Sequence, residues 1–133
     1  MGVSKLKGDL AEIEVMRISR ERGYCVSMPF GEDAAYDLVV DRNGRLDRVQ
    51  CKFAASDGER VVVRCRSTNG WGTRKYRPED VDWIATYDVT SGRCYFVPSS
   101  LLGGGRATLT LRLTPARNGQ SRNIRLATDF LSW

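Results

Sequence analysis

Apolar positions recur at helical spacing over residues 4–22, SKLKGDLAEIEVMRISRER. At 100° per residue, Leu6, Leu10, Ile13 and Met16 fall on one stripe, and Ala11, Val15 and Ile18 on a second. Two stripes predict a helix covered on two sides, both within the domain or one of them by a second subunit. Ser4 is placed to cap its start and Gly23 to stop it. Beyond Gly23 the period shortens to two. A short strand is predicted over 24–30, ending at Pro29, and a loop over 31–34. Strands over 35–41 and 45–54 form a hairpin. Residues 59–66, ERVVVRCR, alternate as a third strand. Residues 67–77, STNGWGTRKYR, read as a glycine-containing loop, and Pro78 opens a single helical turn over 78–82. Strands over 83–88 and 93–97 flank Thr90-Ser91-Gly92 as a second hairpin. A helical turn over 98–102, a strand over 107–113, a polar loop over 118–122 and a short helix over 125–131 complete the chain. There is no internal repeat or linker, so residues 1–133 are expected to form one domain.

Asn43-Gly44 between two alternating runs is a strong hairpin signal. A two-residue type I′ turn there pairs Arg42 with Arg45, which sets Asp37 opposite Gln50 and Ala35 opposite Lys52. Directly opposed residues share a sheet face, with Cβ atoms about 5 Å apart. Asp37, Gln50 and Lys52 are therefore expected to form a polar cluster at the end of the hairpin far from the turn. Tyr36, Leu38, Val40, Val49, Cys51 and Phe53 take the other face, as core. The alternative is a hairpin whose outer face is merely polar.

Composition narrows the chemistry. The formal net charge is +5, which suits a polyanionic partner, and 17 of the 21 basic residues are Arg. That bias is equally a mark of a GC-rich genome. No run of eighteen apolar residues and no apolar leader is present, so neither a membrane span nor secretion is expected. Cys25, Cys51, Cys65 and Cys94 make no CxxC pair and sit among apolar residues, which reads as buried, reduced thiols of a cytoplasmic protein. There is no His, which excludes His-dependent triads and His–metal sites. Chemistry must come from carboxylates, Lys, Tyr or a metal held by oxygen.

The chain resembles the PD-(D/E)XK nuclease signature, which is an acid, a spacer containing a turn, and then acid-x-Lys. Here it reads Asp37, then Gln50-Cys51-Lys52, with Glu12 of KGDLAE on the preceding helix. The likeness runs nearly the whole chain: MPFGEDAAYDLVVD, RVQCK, YRPEDVDWIATYD, CYFVP and LRLTPARNGQSRNIRLATDF all fit the branch of that superfamily associated with group I introns, the homing endonucleases. Archaeal Holliday junction resolvases share the core arrangement more distantly. The resemblance implies an α/β, restriction-endonuclease-like fold, with an N-terminal helix, a central mixed sheet and short flanking helices. It implies a Mg²⁺-dependent endodeoxyribonuclease, with Mn²⁺ as substitute. Glu12, Asp37, Gln50 and the Cys51 carbonyl would surround the metal, and Lys52 would assist the attacking water. Gln50 stands where most of the superfamily has Glu or Asp, which removes one negative charge. Within the nuclease reading a Holliday-junction or repair-type nuclease is the alternative; a non-catalytic DNA-binding protein that keeps the fold is the second reading, and an ordinary protein with a basic surface the third.

The implied partner is double-stranded DNA, branched or mismatched forms included, met in the cytoplasm at the nucleoid by a homodimer or homotetramer, since 133 residues cannot span a long site alone. Candidate DNA contacts are Arg66, Arg74, Lys75 and Arg77, with Trp71 stacking on or wedging a base step. Arg117, Asn118, Gln120 and Arg122 form a second candidate group.

Overall fold

The computed structural model describes residues 2–69, 72–115 and 124–133. Helix α1 spans Val3–Glu21. It starts one residue before the expected point. Gly2 is the extended N-cap, its carbonyl accepts the N–H groups of Lys5 and Leu6, and Ser4 lies inside the first turn without capping it. At the other end Gly23 adopts φ +83°, a left-handed conformation that costs a glycine little, and its N–H returns to the Arg20 carbonyl.

A mixed five-stranded sheet has the order β1-β2-β3-β7-β8, built from Cys25–Ser27, Leu38–Arg42, Arg45–Ala54, Trp83–Asp88 and Arg93–Pro98. β3 and β7 run parallel, Val49 beside Trp83 through Ala54 beside Asp88, and the other neighbours are antiparallel. The chain between β3 and β7 contains β4 (Arg60–Arg64), β5 (Arg66–Asn69) and β6 (Gly72–Lys75). β4 pairs with β9 (Thr108–Arg112) as a separate ribbon. β5 and β6 pair with each other, so the expected 67–77 loop is a hairpin whose strand character its glycines obscured. Single 3₁₀ turns at Ser99–Leu101 and Ala127–Phe130 take the places of the two short C-terminal helical segments.

Both faces of the sheet are covered. Ala11 and Val15 of α1 pack with Leu38, Val40, Val49, Cys51, Ala85 and Phe96. On the opposite face Val61 and Val63 of β4 and Leu109 and Leu111 of β9 pack with Ile84, Tyr95, Val97 and Tyr76. The second helical stripe is thus the core one. Of the first, Leu6 (53%), Leu10 and Ile13 (54%) stay exposed, while Met16 is half-buried against the same core. Two further expectations change. Tyr36 packs against the β4/β9 core rather than beside Leu38, because the strand begins only at Leu38 and alternation does not reach back to Tyr36. Cys25 is exposed on the edge strand, while Cys51, Cys65 and Cys94 are buried and free.

Asp88 closes the β7–β8 turn and is fully buried. Its carboxylate accepts the Ser56 N–H (2.8 Å), the Ser56 and Ser91 hydroxyls (2.9 and 2.7 Å) and the Thr90 N–H (3.3 Å). Burial by itself would raise this carboxyl, but the hydrogen bonds outweigh it and hold the group below its ordinary value. A lowered folded-state value gives stability that is present above the unfolded carboxyl pKa and lost as pH falls through the folded one. Asp88→Ala is expected to cost about 3 kcal/mol at neutral pH, because buried donors lose their acceptor. The wild-type and variant urea midpoints should converge on acidification; a constant gap would contradict this account.

Candidate active site

The Asn43-Gly44 turn forms as its residue types demand, with φ +56° and +96° and the Gly44 N–H donated to Asp41 at 2.7 Å. The register is the expected one, Arg42 with Arg45 through Leu38 with Val49. The ladder then stops. The Asp37 N–H still reaches the Val49 carbonyl (2.9 Å), but the next N–H, of Cys51, goes to the Asp37 carboxylate (2.9 Å) rather than to a backbone carbonyl. Ala35 is therefore not paired with Lys52, and β3 runs on to Ala54 held by β7 alone. This parting of β2 and β3 leaves a cleft at the end of the hairpin far from its turn.

Glu12, Asp37, Gln50, Cys51 and Lys52 all line that cleft, of about 810 Å³. Helix α1 brings Glu12 from one side of the sheet, and β3 brings Gln50 and Lys52 from the other. The Asp37 carboxyl is raised mainly by burial, against the opposing pull of the Cys51 N–H and the Lys52 charge. The Glu12 carboxyl is raised by burial and then by the neighbouring charges of Asp37 and Asp9. Burial lowers the Lys52 ammonium, which Asp37 partly offsets. The Lys52 Nζ donates to the Arg66 carbonyl at 3.0 Å and lies 5.2 Å from the centre of the buried Tyr76 ring. The Gln50 amide N–H donates to the Cys51 carbonyl at 3.3 Å. A half-turn of that amide would set two neutral oxygens side by side.

The donors fit a hard divalent cation. Two half-buried carboxylates that repel one another, an amide oxygen and a main-chain carbonyl are all oxygen ligands. Among the described residues no three Cys, Asp or Glu side chains gather closely enough to hold a metal by themselves. A cation here would depend on the neutral oxygens and on water.

The expected DNA contacts separate. Arg66 and Lys75 are exposed on the β5–β6 hairpin. Arg74 is ion-paired with Asp80, and Arg77 with Glu79 (3.1 Å) and more loosely with Asp80 (3.9 Å). Trp71, Arg117, Asn118, Gln120 and Arg122 lie outside the described residues. Three cations that the motif reading passed over, Lys7, Arg60 and Arg64, line the cleft itself. The signal for Arg60 and Arg64 was present in the alternation of ERVVVRCR, which sets Arg60, Val62 and Arg64 on one face, but not where that face would lie.

No curated protein matches the chain. It is similar to a solved structure of a bacterial homing endonuclease, I-Ssp6803I, with 28% identity, 92% of this chain and 86% of that one covered, and a TM-score of 0.73. A family model described as PD-(D/E)XK endonuclease matches residues 3–132. With the ordered acid, Gln-x-Lys hairpin and helix-borne Glu now placed in one cleft, this chain belongs to the PD-(D/E)XK endonuclease family.

Proposed function

We propose that the protein is a metal-dependent DNA endonuclease that hydrolyses phosphodiester bonds of double-stranded DNA. The observation that carries this reading is the convergence of Glu12, Asp37, Gln50, the Cys51 carbonyl and Lys52 at the point where β2 and β3 part. Asp37 is the main metal ligand, with one carboxylate oxygen already fixed by the Cys51 N–H. The Cys51 carbonyl, Glu12 and the turned amide of Gln50 complete the set. Mg²⁺ is the expected ion and Mn²⁺ a substitute; when bound, it neutralises phosphate charge and acidifies water. Lys52 orients the attacking water, and its ammonium offsets charge that develops on phosphorus oxygens. Water adds at phosphorus, the phosphorus–oxygen bond to the leaving group breaks, and a phosphate monoester and a hydroxyl result. Gln50 in place of an acid leaves the site one charge short and weakens its hold on Mg²⁺. Arg66 and Lys75 would add phosphate contacts from the β5–β6 hairpin. Arg74 and Arg77 could join them by exchanging Asp80 and Glu79 for phosphate, and Trp71, Arg117, Gln120 and Arg122 remain in the proposed DNA-contacting set.

The test is a labelled DNA panel at low salt with Mg²⁺ or Mn²⁺: plasmid, random duplex, mismatched duplex, flap and four-way junction. Cleavage that disappears in Lys52→Ala supports the reading, and the preferred member separates duplex, repair and junction roles. Binding without cleavage of any member, or of a long cognate site, favours the non-catalytic alternative.

The exposed Leu6, Leu10 and Ile13 stripe fits a second copy of the chain, which a DNA site longer than one protomer requires. Ile13→Lys is expected to lower the mass found by sedimentation at micromolar concentration to that of one chain. An unchanged mass would locate the subunit contact elsewhere.

A further inference from the structure

The cleft has two walls beyond its catalytic floor. Lys7 and Gly8 of α1 form one, and Arg60, Val62 and Arg64 of β4 form the other. The burial of β4 alternates strictly, with Val61 and Val63 in the core and Arg60 and Arg64 outward. Among the described residues none of Lys7, Arg60 and Arg64 has an ion pair, in contrast to Arg74 and Arg77 on the hairpin. Lys7 instead stands 5.5 Å from the centre of the Phe53 ring. Asp57, the remaining acid of the cleft, is occupied by the N–H groups of Glu59 and Arg60, both at 2.9 Å. Cations therefore outnumber carboxylates along the cleft, and Lys7, Arg60 and Arg64 are free of ion pairs among the described residues. Gly8 is the second observation. A mid-helix glycine costs about 1 kcal/mol relative to alanine. No atom lies within 4 Å of where its Cβ would stand, so packing does not call for it. Its bare backbone instead keeps the helical wall low beside Lys7.

We propose that the cleft between α1 and β4 is the track of one DNA strand, with Lys7, Arg60 and Arg64 taking the phosphates that flank the one at Asp37 and Lys52, and Gly8 leaving room for the backbone. This rests on the nuclease reading above. The three cations are phosphate-binding residues and carry no base information, so their effect is uniform across sequences.

The test measures duplex affinity against salt concentration, with Ca²⁺ in place of Mg²⁺ so that no cleavage intervenes. Lys7→Ala, Arg60→Ala and Arg64→Ala should each reduce the slope of log K against log salt by about 0.9, and the triple variant by about 2.7. Arg93→Ala, which removes an exposed cation on β8 outside the cleft, should leave the slope unchanged. Gly8→Leu should raise the melting temperature yet weaken binding about tenfold or more, with the wild-type slope kept, because it blocks space without removing charge. A wild-type slope in the triple variant, or wild-type affinity in Gly8→Leu, overturns the track while leaving the nuclease reading intact. Absence of duplex binding by the wild-type chain overturns both.

Discussion

Asp37→Asn is expected to abolish cleavage while leaving the fold in place. The amide oxygen of Asn can still accept the Cys51 N–H, so the local hydrogen bond survives. What is lost is the charge. A metal's share of transition-state stabilisation is several kcal/mol, which is about 10³-fold in rate. Gln50 leaves Glu12 as the one other carboxylate of the proposed metal set, and Asp57 is held by the Glu59 and Arg60 N–H groups, so the loss should be at the upper end. Stability should move the other way. Burial raises the Asp37 carboxyl in the folded chain, so the ionised form is disfavoured there. A raised folded-state value in an acid makes ionisation costly to the fold at neutral pH, and the cost disappears as pH falls below the ordinary carboxyl value. Asp37→Asn removes that cost, so without metal its urea midpoint at pH 7 should equal or exceed that of the wild type. A matched loss of stability and activity would recast Asp37 as a structural residue. The same shifts set the pH profile. Glu12 and Asp37 must lose protons before they hold a cation, so the acid limb of cleavage should lie above the usual carboxylate range and move to lower pH as Mg²⁺ is raised.

Lys52→Met should reduce cleavage by about 10²- to 10³-fold, the range seen when one pre-positioned charge or donor is removed from a developing anion. Lys52→Arg should not rescue it. The ammonium is held as a point charge against the Arg66 carbonyl and the Tyr76 ring, and a planar guanidinium on a longer stem has no matching place there. Burial lowers the Lys52 ammonium, so the folded chain disfavours its charge at neutral pH. Lys52→Met should therefore leave the urea midpoint at or above that of the wild type, the pattern expected where a fold gives up stability for a functional charge. Single-turnover cleavage beside denaturation of the same preparations decides it: retained cleavage in Lys52→Met would remove this residue from the mechanism.

The hairpin was legible from the chain alone. Asn43-Gly44 specifies a turn with positive φ at both positions, the turn specifies the register, and the period of two then sorts the side chains to faces. That geometry brings Asp37, Gln50 and Lys52 to one end of the hairpin, while the pairing expected there gives way to the Cys51 N–H donated to the Asp37 carboxylate. Helix α1 was legible for the same reason, down to its stop at Gly23. Its start was not, since Ser4 satisfies the residue preference for a cap while Gly2 supplies the conformation.

Contacts distant in sequence were beyond such reading. Two equivalent apolar stripes on α1 do not say which one meets the sheet; Ala11 and Val15 do, because the smaller residues allow close approach beneath Leu38 and Phe96. The alternation of β4 shows that Arg60 and Arg64 share a face, but only its pairing with β9, far along the chain, sets that face along the cleft. The rotamer of Lys52 is likewise set by Arg66 and Tyr76, which reach it through the β5–β6 hairpin. The local periods, the turn and the acid–lysine spacing are legible in the chain because each depends on neighbours within a few residues. Which faces are buried, which cations lack ion pairs and where the cleft opens depend on packing between segments far apart in sequence, and no local pattern encodes their meeting.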